Sequence, residues 1–136
     1  MARKAKAYVL DSWAVIAYLE DEPSAAQIAD LIASAHEEET PLYMTVVNVG
    51  EVWYTIAREI SEEDANASIK ELRDLRIQFE NVDWDLTREA AHFKSQHKMS
   101  YADCYAAALA KSRKAELVTG DKEFKSLDGE IKIAWL

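Results

Sequence analysis

The chain has almost no cysteine and no long apolar run. Cys104 is the only cysteine among 136 residues, so no internal disulfide can form, and no Cys/His spacing suggests a zinc site. No apolar stretch approaches the roughly 20 residues that a helix needs to cross a bilayer. The basic residues 1–6 lead into a short strand-like run and an acid, not into a signal-peptide core. We therefore expect a cytoplasmic protein with no membrane partner, in which Cys104 is a small core residue.

A basic excess is also missing. The chain has 16 Lys and Arg residues against 25 Asp and Glu residues, a net charge of −9. This charge excludes a protein that coats nucleic acid through a broad basic surface, but it leaves room for a nuclease with a small basic strip. Apolar residues make up 49% of the chain. We expect a single domain over residues 1–136 with one sizeable core.

Short apolar runs alternate with helical patterns along the chain. Strands are predicted over residues 7–10, 42–44, 77–82, 116–119 and 131–135, and helices over 13–20, 24–38, 46–60, 61–75, 85–97 and 100–114. The residues predicted to begin helices are Ser12, Thr45, Ser61 and Ser100 as N-caps and Pro23 at a first helical position. This alternation, with short links and few hairpin signals, predicts an α/β fold. Its central parallel sheet of four to five strands is covered on both faces.

Four acids lie in apolar company near the ends of these elements. Asp11 follows the first strand and Asp121 follows the fourth, and parallel strands bring such positions to one edge of a sheet. Glu51 lies two turns into the third helix, with Asn48 three residues earlier on the same face. Asp103 lies in the first turn of an alanine-rich helix. We expect at least three of these acids to meet at one edge.

Each acid also has a simpler explanation. Asp11 can cap the first helix, Ser100 and Asp103 follow the pattern of a capping box, Asp121 can begin a turn, and Glu51 can pair with a basic residue. As a cluster they are harder to explain, because neighbouring carboxylates repel and raise one another's pKa. A divalent cation removes that penalty, and an all-oxygen ligand set favours Mg²⁺ or Mn²⁺. Such ions polarise phosphoryl oxygens and generate hydroxide for attack on a phosphodiester.

In their order and spacing these motifs resemble the PIN-domain ribonucleases, most closely the VapC-type toxins of prokaryotic toxin–antitoxin pairs. The matching segments are residues 8–12, Thr45 to Glu51 as T-x5-E, Ala102-Asp103, and residues 117–124. The resemblance implies a three-layer α/β/α sandwich and Mg²⁺- or Mn²⁺-dependent endonucleolytic cleavage of RNA. The chain departs from the family in two places. Glu123 stands where relatives often have a second Asp, and residues 99–101 replace a Leu-Pro type of entry.

The resemblance also implies roles for individual residues. The catalytic, metal-binding quartet is Asp11, Glu51, Asp103 and Asp121, with Asp11 and Asp103 as principal ligands. The polar residues that would support these ligands are Ser12, Asn48, Thr119 and Glu123. The implied partners are RNA, a cognate antitoxin protein and a second copy of the chain in a homodimer.

Lysines flank one of the acids. Lys122 and Lys125 follow Asp121 closely, and we predict that they bind RNA phosphates. Lys111 and Arg113 are better explained as favourable charges at a helix C-terminus. We interpret Trp53 and Trp135 as core residues and leave Trp13 open between the core and a partner surface. The three histidines, which have no metal spacing, are interpreted as surface or boundary residues: His36, His92 and His97.

Three other functions use related patterns. A phospho-acceptor signalling domain needs an adjacent acidic pair after the first strand, and Asp11-Ser12-Trp13 has none. A haloacid-dehalogenase-type phosphatase needs Asp-x-Asp, and Trp13 fills the second position. The remaining alternative is a catalytically silent module of the same fold that binds RNA or protein.

Overall fold

A computed structural model describes residues 5–136 of the chain. The strands are β1 (Tyr8–Leu10), β2 (Leu42–Thr45), β3 (Ile77–Glu80), β4 (Glu116–Thr119) and β5 (Lys132–Trp135). The helices are α1 (Ser12–Leu19), α2 (Ala25–Glu37), α3 (Val46–Glu59), α4 (Glu62–Asp74), α5 (Trp84–Gln96) and α6 (Tyr101–Arg113). A 3-10 helix, Lys122–Leu127, lies between β4 and β5. None of the helices within residues 5–136 is long and apolar enough to span a membrane.

The five strands form one sheet in the order β3-β2-β1-β4-β5. Every neighbouring pair is parallel, so all five strands end at the same edge. The predicted α/β fold with a parallel central sheet is therefore confirmed. β1 lies in the middle of the sheet, and the segment after it, which begins with Asp11, leaves from the middle of that edge.

Helices cover both faces of the sheet. Consecutive side chains of a strand point to opposite faces, and both Val9 and Leu10 on β1 are fully buried. Val9 packs into an apolar cluster with residues of α5 and α6, and Leu10 packs into a second cluster with residues of α1 to α4. The three-layer arrangement predicted from the family resemblance is thus present. Burying both faces of one strand stabilises the fold by about 1.5–3 kcal/mol for each large side chain.

Alanines let α6 lie deep in its layer. All seven residues from Cys104 to Ala110 are buried, which a helix achieves only with small side chains on several faces. Cys104 is 0% exposed, so its prediction as a core residue is confirmed. The burial of α6 fixes its first turn, and with it Asp103, against the carboxyl edge of the sheet.

Two predicted helix starts are wrong, whereas the caps at Thr45, Ser61 and Ser100 are confirmed. Asp11, not Ser12, is the N-cap of α1, because its carboxylate accepts a hydrogen bond from the Ala14 backbone N–H at 2.8 Å. Pro23 does not occupy a first helical position. The Ala25 N–H donates to the Glu22 carbonyl at 2.8 Å, and the resulting turn holds Pro23 before the start of α2.

The aromatic and histidine predictions have mixed outcomes. Trp53 is partly buried and packs against the cluster of α1 to α4. Trp135 is 37% exposed, and its prediction as a core residue is wrong because β5 is an edge strand. His92 is exposed, and His36 and His97 are partly buried, as expected for surface or boundary positions.

Candidate metal centre

Three carboxylates converge on the carboxyl edge of the sheet. Asp103, Asp121 and Glu123 each offer one oxygen, and these oxygens lie within 4.8 Å of one another. Asp103 and Asp121 are partly buried, and Glu123 is exposed. The group is therefore open to solvent on one side, which would give a large substrate access to it.

Local capping places these three acids. The Ser100 hydroxyl oxygen accepts a hydrogen bond from the Asp103 N–H at 3.1 Å, which starts α6 with Asp103 in its first turn. Asp121 caps the 3-10 helix, and its Oδ1 accepts a hydrogen bond from the Glu123 N–H at 3.0 Å. This bond brings Glu123 beside Asp121. The sequence had assigned Glu123 to the polar residues around the ligands, whereas the structure places it among the three closest acids.

Asp11 lies deeper than these three. It is 0% exposed, and its Oδ2 accepts a hydrogen bond from the Thr119 hydroxyl at 2.5 Å, besides the bond from Ala14 to Oδ1. Burial raises the pKa of Asp11 from 3.8 to about 7. The bonds from Thr119 and Ala14 oppose this shift, and the charges of Asp103 and Asp121 add to it. Both neighbours are therefore close enough to act on Asp11.

The pKa of Asp103 is raised as well, from 3.8 to about 6. Burial is the main cause, a hydrogen bond with Ser100 opposes it, and the charges of Asp121, Glu51 and Glu123 add to it. Glu51 is thus linked to the cluster through Asp103. Glu51 is partly buried, and the ion pairs found among residues 5–136 do not include it.

All four acids predicted from the sequence are thus brought to one edge, although Asp11 and Glu51 lie outside the group of three oxygens. Burial is the main cause of the raised pKa values of Asp11 and Asp103, and the charges of the neighbouring acids add to it. The donors are carboxylate oxygens only, the set that Mg²⁺ and Mn²⁺ prefer. The residues present therefore fit a divalent cation, which would remove the cost of their repulsion.

A buried polar network ties together the segments that carry the acids. The Asn48 side chain is 0% exposed, and its Nδ2 donates to the Ala102 carbonyl at 3.1 Å. The Ser12 hydroxyl donates to the Asn48 carbonyl at 3.2 Å. The Thr45 hydroxyl donates to Asn48 Oδ1 at 2.5 Å, a second role for a residue that the sequence identified only as a cap and as the first residue of T-x5-E. The network holds α1, α3 and α6 in fixed relation.

Thr119 makes a similar link between β4 and the acid after β1. Its hydroxyl donates to Asp11 and accepts a hydrogen bond from the Asp121 N–H at 3.0 Å. Among residues 5–136 no fully buried side-chain polar atom lacks a hydrogen-bond partner. The segments that carry the carboxylates are therefore held by buried hydrogen bonds, which favours a fixed ligand geometry.

The four basic residues considered from the sequence divide into two pairs. Lys122 and Lys125 are exposed beside Asp121, and neither forms an ion pair within residues 5–136. Lys111 and Arg113 at the end of α6 are paired instead, at 2.5 Å with Glu89 and 2.8 Å with Glu80. Of these four, Lys122 and Lys125 are the ones that offer unpaired positive charge close to the acids among residues 5–136.

Known proteins resemble this chain in fold over nearly its whole length. The solved structure of VapC20 from Mycobacterium tuberculosis, described as a Sarcin-Ricin loop cleaving toxin, is 15% identical. Its TM-score is 0.74, and the match covers 96% of this chain and 100% of that one. VapBC2 from Rickettsia felis, solved bound to a DNA fragment from its promoter, is 17% identical with a TM-score of 0.74, covering 95% and 98%.

A third structure, of VapBC-5 from Mycobacterium tuberculosis, is 25% identical with a TM-score of 0.60, covering 96% and 98%. No curated protein sequence matches the chain. The model of the PIN domain family matches residues 8–130, which include every acid of the cluster. The resemblance stated from the sequence is confirmed, and the chain belongs to the PIN domain family.

Proposed function

We propose that this protein is a divalent-metal-dependent endoribonuclease and the toxin of a VapBC-type toxin–antitoxin pair. The observation that carries the proposal is the acidic cluster at the carboxyl edge of a PIN fold, where oxygens of Asp103, Asp121 and Glu123 lie within 4.8 Å of one another. Asp11 and Glu51 are linked to it through their charges. A protein that kept this fold only for binding would gain nothing from buried acids with raised pKa values.

The acids would hold Mg²⁺ or Mn²⁺, with Asp11 and Asp103 as principal ligands and Glu51, Asp121 and Glu123 completing the site. The bound cation would supply a polarised phosphoryl oxygen and a hydroxide nucleophile. Hydrogen bonds from Ala14 and Thr119 hold the Asp11 carboxylate in one orientation. The same bonds favour its charged form, which a cation requires.

RNA is the substrate class that suits the surroundings of the cluster. The group of Asp103, Asp121 and Glu123 is open to solvent at Glu123, and the cavities of about 510 and 650 Å³ are not lined by these acids. The exposed Lys122 and Lys125 would bind phosphates beside Asp121. The similar structure VapC20 is described as cleaving the sarcin-ricin loop, which supports an RNA substrate here.

The partners are proposed from the same relatives. Several similar structures are VapBC or toxin–antitoxin complexes, including those from Salmonella typhimurium and nontypeable Haemophilus influenzae. We propose a cognate antitoxin as a binding partner, a homodimeric toxin and a cytoplasmic location. Co-expression with the protein encoded beside this chain, followed by purification of the complex and measurement of its mass, tests the partner and the dimer together.

Cleavage of end-labelled RNA with Mg²⁺, with Mn²⁺ and with excess chelator tests the activity. The wild type should cleave only with metal, and Asp103→Asn should reduce cleavage by several orders of magnitude. The matched control is Asp30→Asn, which changes an exposed Asp of α2 and should cleave as the wild type does. Cleavage by Asp103→Asn at the wild-type rate would contradict the assigned site. Metal binding without cleavage of any RNA would favour the silent module.

A further inference from the structure

Trp13 lies between two residues of the buried start of α1 and is itself partly exposed. It is 37% exposed, whereas its neighbours Asp11, Ser12, Ala14 and Val15 are all buried. The buried neighbours contribute to the core and to the polar network, whereas the exposed part of Trp13 does not. Trp13 follows the most deeply buried acid of the cluster by two residues, so its position is coupled to the site.

The ring rests against Gly120. A Cβ atom placed on Gly120 would lie 2.4–2.9 Å from Cη2, Cζ3 and Cζ2 of the indole. These distances are shorter than any van der Waals contact, so only glycine lets the ring lie here. Gly120 directly precedes Asp121, and the indole therefore bridges the two segments that carry Asp11 and Asp121.

We propose that the exposed part of the Trp13 side chain is a stacking platform for one RNA base next to the cleaved phosphate. The inference rests on the proposed ribonuclease function and adds a base-binding subsite to it. Unpaired bases stack on aromatic side chains in sites that bind single-stranded RNA. A ring held against backbone is ordered before RNA binds, so stacking costs little side-chain entropy.

The surroundings of Trp13 suit a nucleotide. The residues that follow Gly120 are Asp121, Lys122 and Glu123, and the last two are exposed. A nucleotide brings one flat apolar base and a phosphate together, which suits an exposed tryptophan close to an exposed lysine. Lys122 lies two residues from Gly120, where it can meet the phosphate of the stacked nucleotide.

Short single-stranded RNAs that carry one abasic nucleotide at successive positions test the subsite. Binding is measured in the Asp103→Asn background, which stops cleavage. The Asp103→Asn protein, the parent of all variants in this test, should bind one of the abasic oligomers more weakly than the intact oligomer. Trp13→Leu should bind the intact oligomer about 5- to 150-fold more weakly, the range for loss of one stacked base, and should not respond to the abasic position. Trp13→Phe should restore part of the affinity.

Trp84→Leu is the matched control. Trp84 is 69% exposed at the start of α5. The Trp84→Leu variant should bind RNA with the same affinity as the Asp103→Asn protein from which it is made. Equal affinity of Trp13→Leu and the parent for every oligomer would overturn the stacking role. If Trp13→Leu keeps RNA affinity but loses dimerisation or antitoxin binding, the ring contacts protein instead. Absence of RNA cleavage by the wild type and of RNA binding by the parent would refute the ribonuclease function itself.

Gly120→Ala provides an independent test. The added methyl group would displace the indole. Gly120→Ala should therefore lower RNA affinity when Trp13 is present and change it little when Trp13 has been replaced by Leu. Mn²⁺ affinity, measured in parallel, should stay unchanged, because the displaced ring is not a ligand. Equal losses in both backgrounds would show that Gly120 acts without Trp13 and would contradict the proposal.

Discussion

Replacing the ionisable carboxyl group of Asp11 should make the stability of the metal-free protein less dependent on pH. Asp11 is fully buried, and burial raises its pKa from 3.8 to about 7. The Asp11→Asn side chain has nearly the same shape and cannot ionise. Its Oδ1 can still accept the hydrogen bond from Ala14, so the start of α1 should be kept.

The sign of the effect follows from the raised pKa. Between about pH 4 and pH 7 the folded state holds a proton on Asp11 that the unfolded state has released, so the free energy of unfolding falls as pH rises. Above pH 7 both states are ionised and the fall stops. A pKa of about 7 lies two units above pH 5, which at about 1.4 kcal/mol per unit corresponds to about 3 kcal/mol between pH 5 and pH 8. Asp103, with a pKa of about 6, acts in the same direction.

Urea unfolding with excess chelator, at several pH values from 5 to 8, measures the effect. His36 and His97 are present in both proteins, so the difference between wild type and Asp11→Asn isolates the single carboxyl group. Relative to the wild type, the variant should gain about 3 kcal/mol from pH 5 to pH 8. If the difference in free energy of unfolding between the two proteins stays constant over this range, the pKa of Asp11 is not raised in the folded state and the reasoning is wrong.

A divalent cation should reverse the wild-type behaviour. Ligand binding stabilises the folded state by an amount that grows with affinity, and a protonated carboxyl group is a poor ligand. Mn²⁺ should therefore stabilise the wild type more at pH 8 than at pH 5, and should stabilise Asp11→Asn less at either pH. Equal stabilisation of both proteins by Mn²⁺ would place the cation away from Asp11.

Three further predictions concern the surroundings of the acids. Thr119→Val removes the hydrogen bond to Asp11 and should lower the free energy of unfolding at pH 8 by about 1.5–3 kcal/mol, with a smaller loss at pH 5; urea unfolding at both pH values checks this. Glu123→Gln should weaken Mn²⁺ binding about tenfold by calorimetry, a typical value for a residue close to a metal, and unchanged affinity would remove Glu123 from the site. Lys122→Glu should weaken RNA binding and flatten its salt dependence, whereas Lys132→Glu, at the opposite edge of the sheet, should do neither.

The fold could be predicted because its signals are local. Apolar runs of strand length alternate with helical patterns, and hydroxyl side chains at Thr45, Ser61 and Ser100 mark helix starts that the structure confirms. The errors arise where the burial of a residue depends on how distant elements pack. Trp135 is apolar in a strand-like run, but only the strand order shows that its strand lies at an edge.

Which acids lie near the carboxyl edge of the sheet could be predicted better than how their oxygens are arranged. Strand ends and helix starts identify segments that must meet in a parallel sheet, which is why the four acids are brought to one edge. Which oxygens lie closest depends on turns that no motif describes. Glu123 joins Asp103 and Asp121 only because Asp121 caps a 3-10 helix and draws the next turn toward itself.

Three of the simpler explanations weighed for the acids are correct, whereas the ion pair considered for Glu51 is not found among residues 5–136. Asp11 and Asp121 are caps, and Ser100 caps the helix of Asp103, so capping and clustering occur together. A cap normally places a carboxylate where the positive end of a helix favours its charge. At Asp11 burial outweighs that advantage, since its pKa is raised although two hydrogen bonds oppose the shift. Capping therefore explains how the carboxylates are placed but not why they lie so close together, and the cation that we propose for the site would supply that reason.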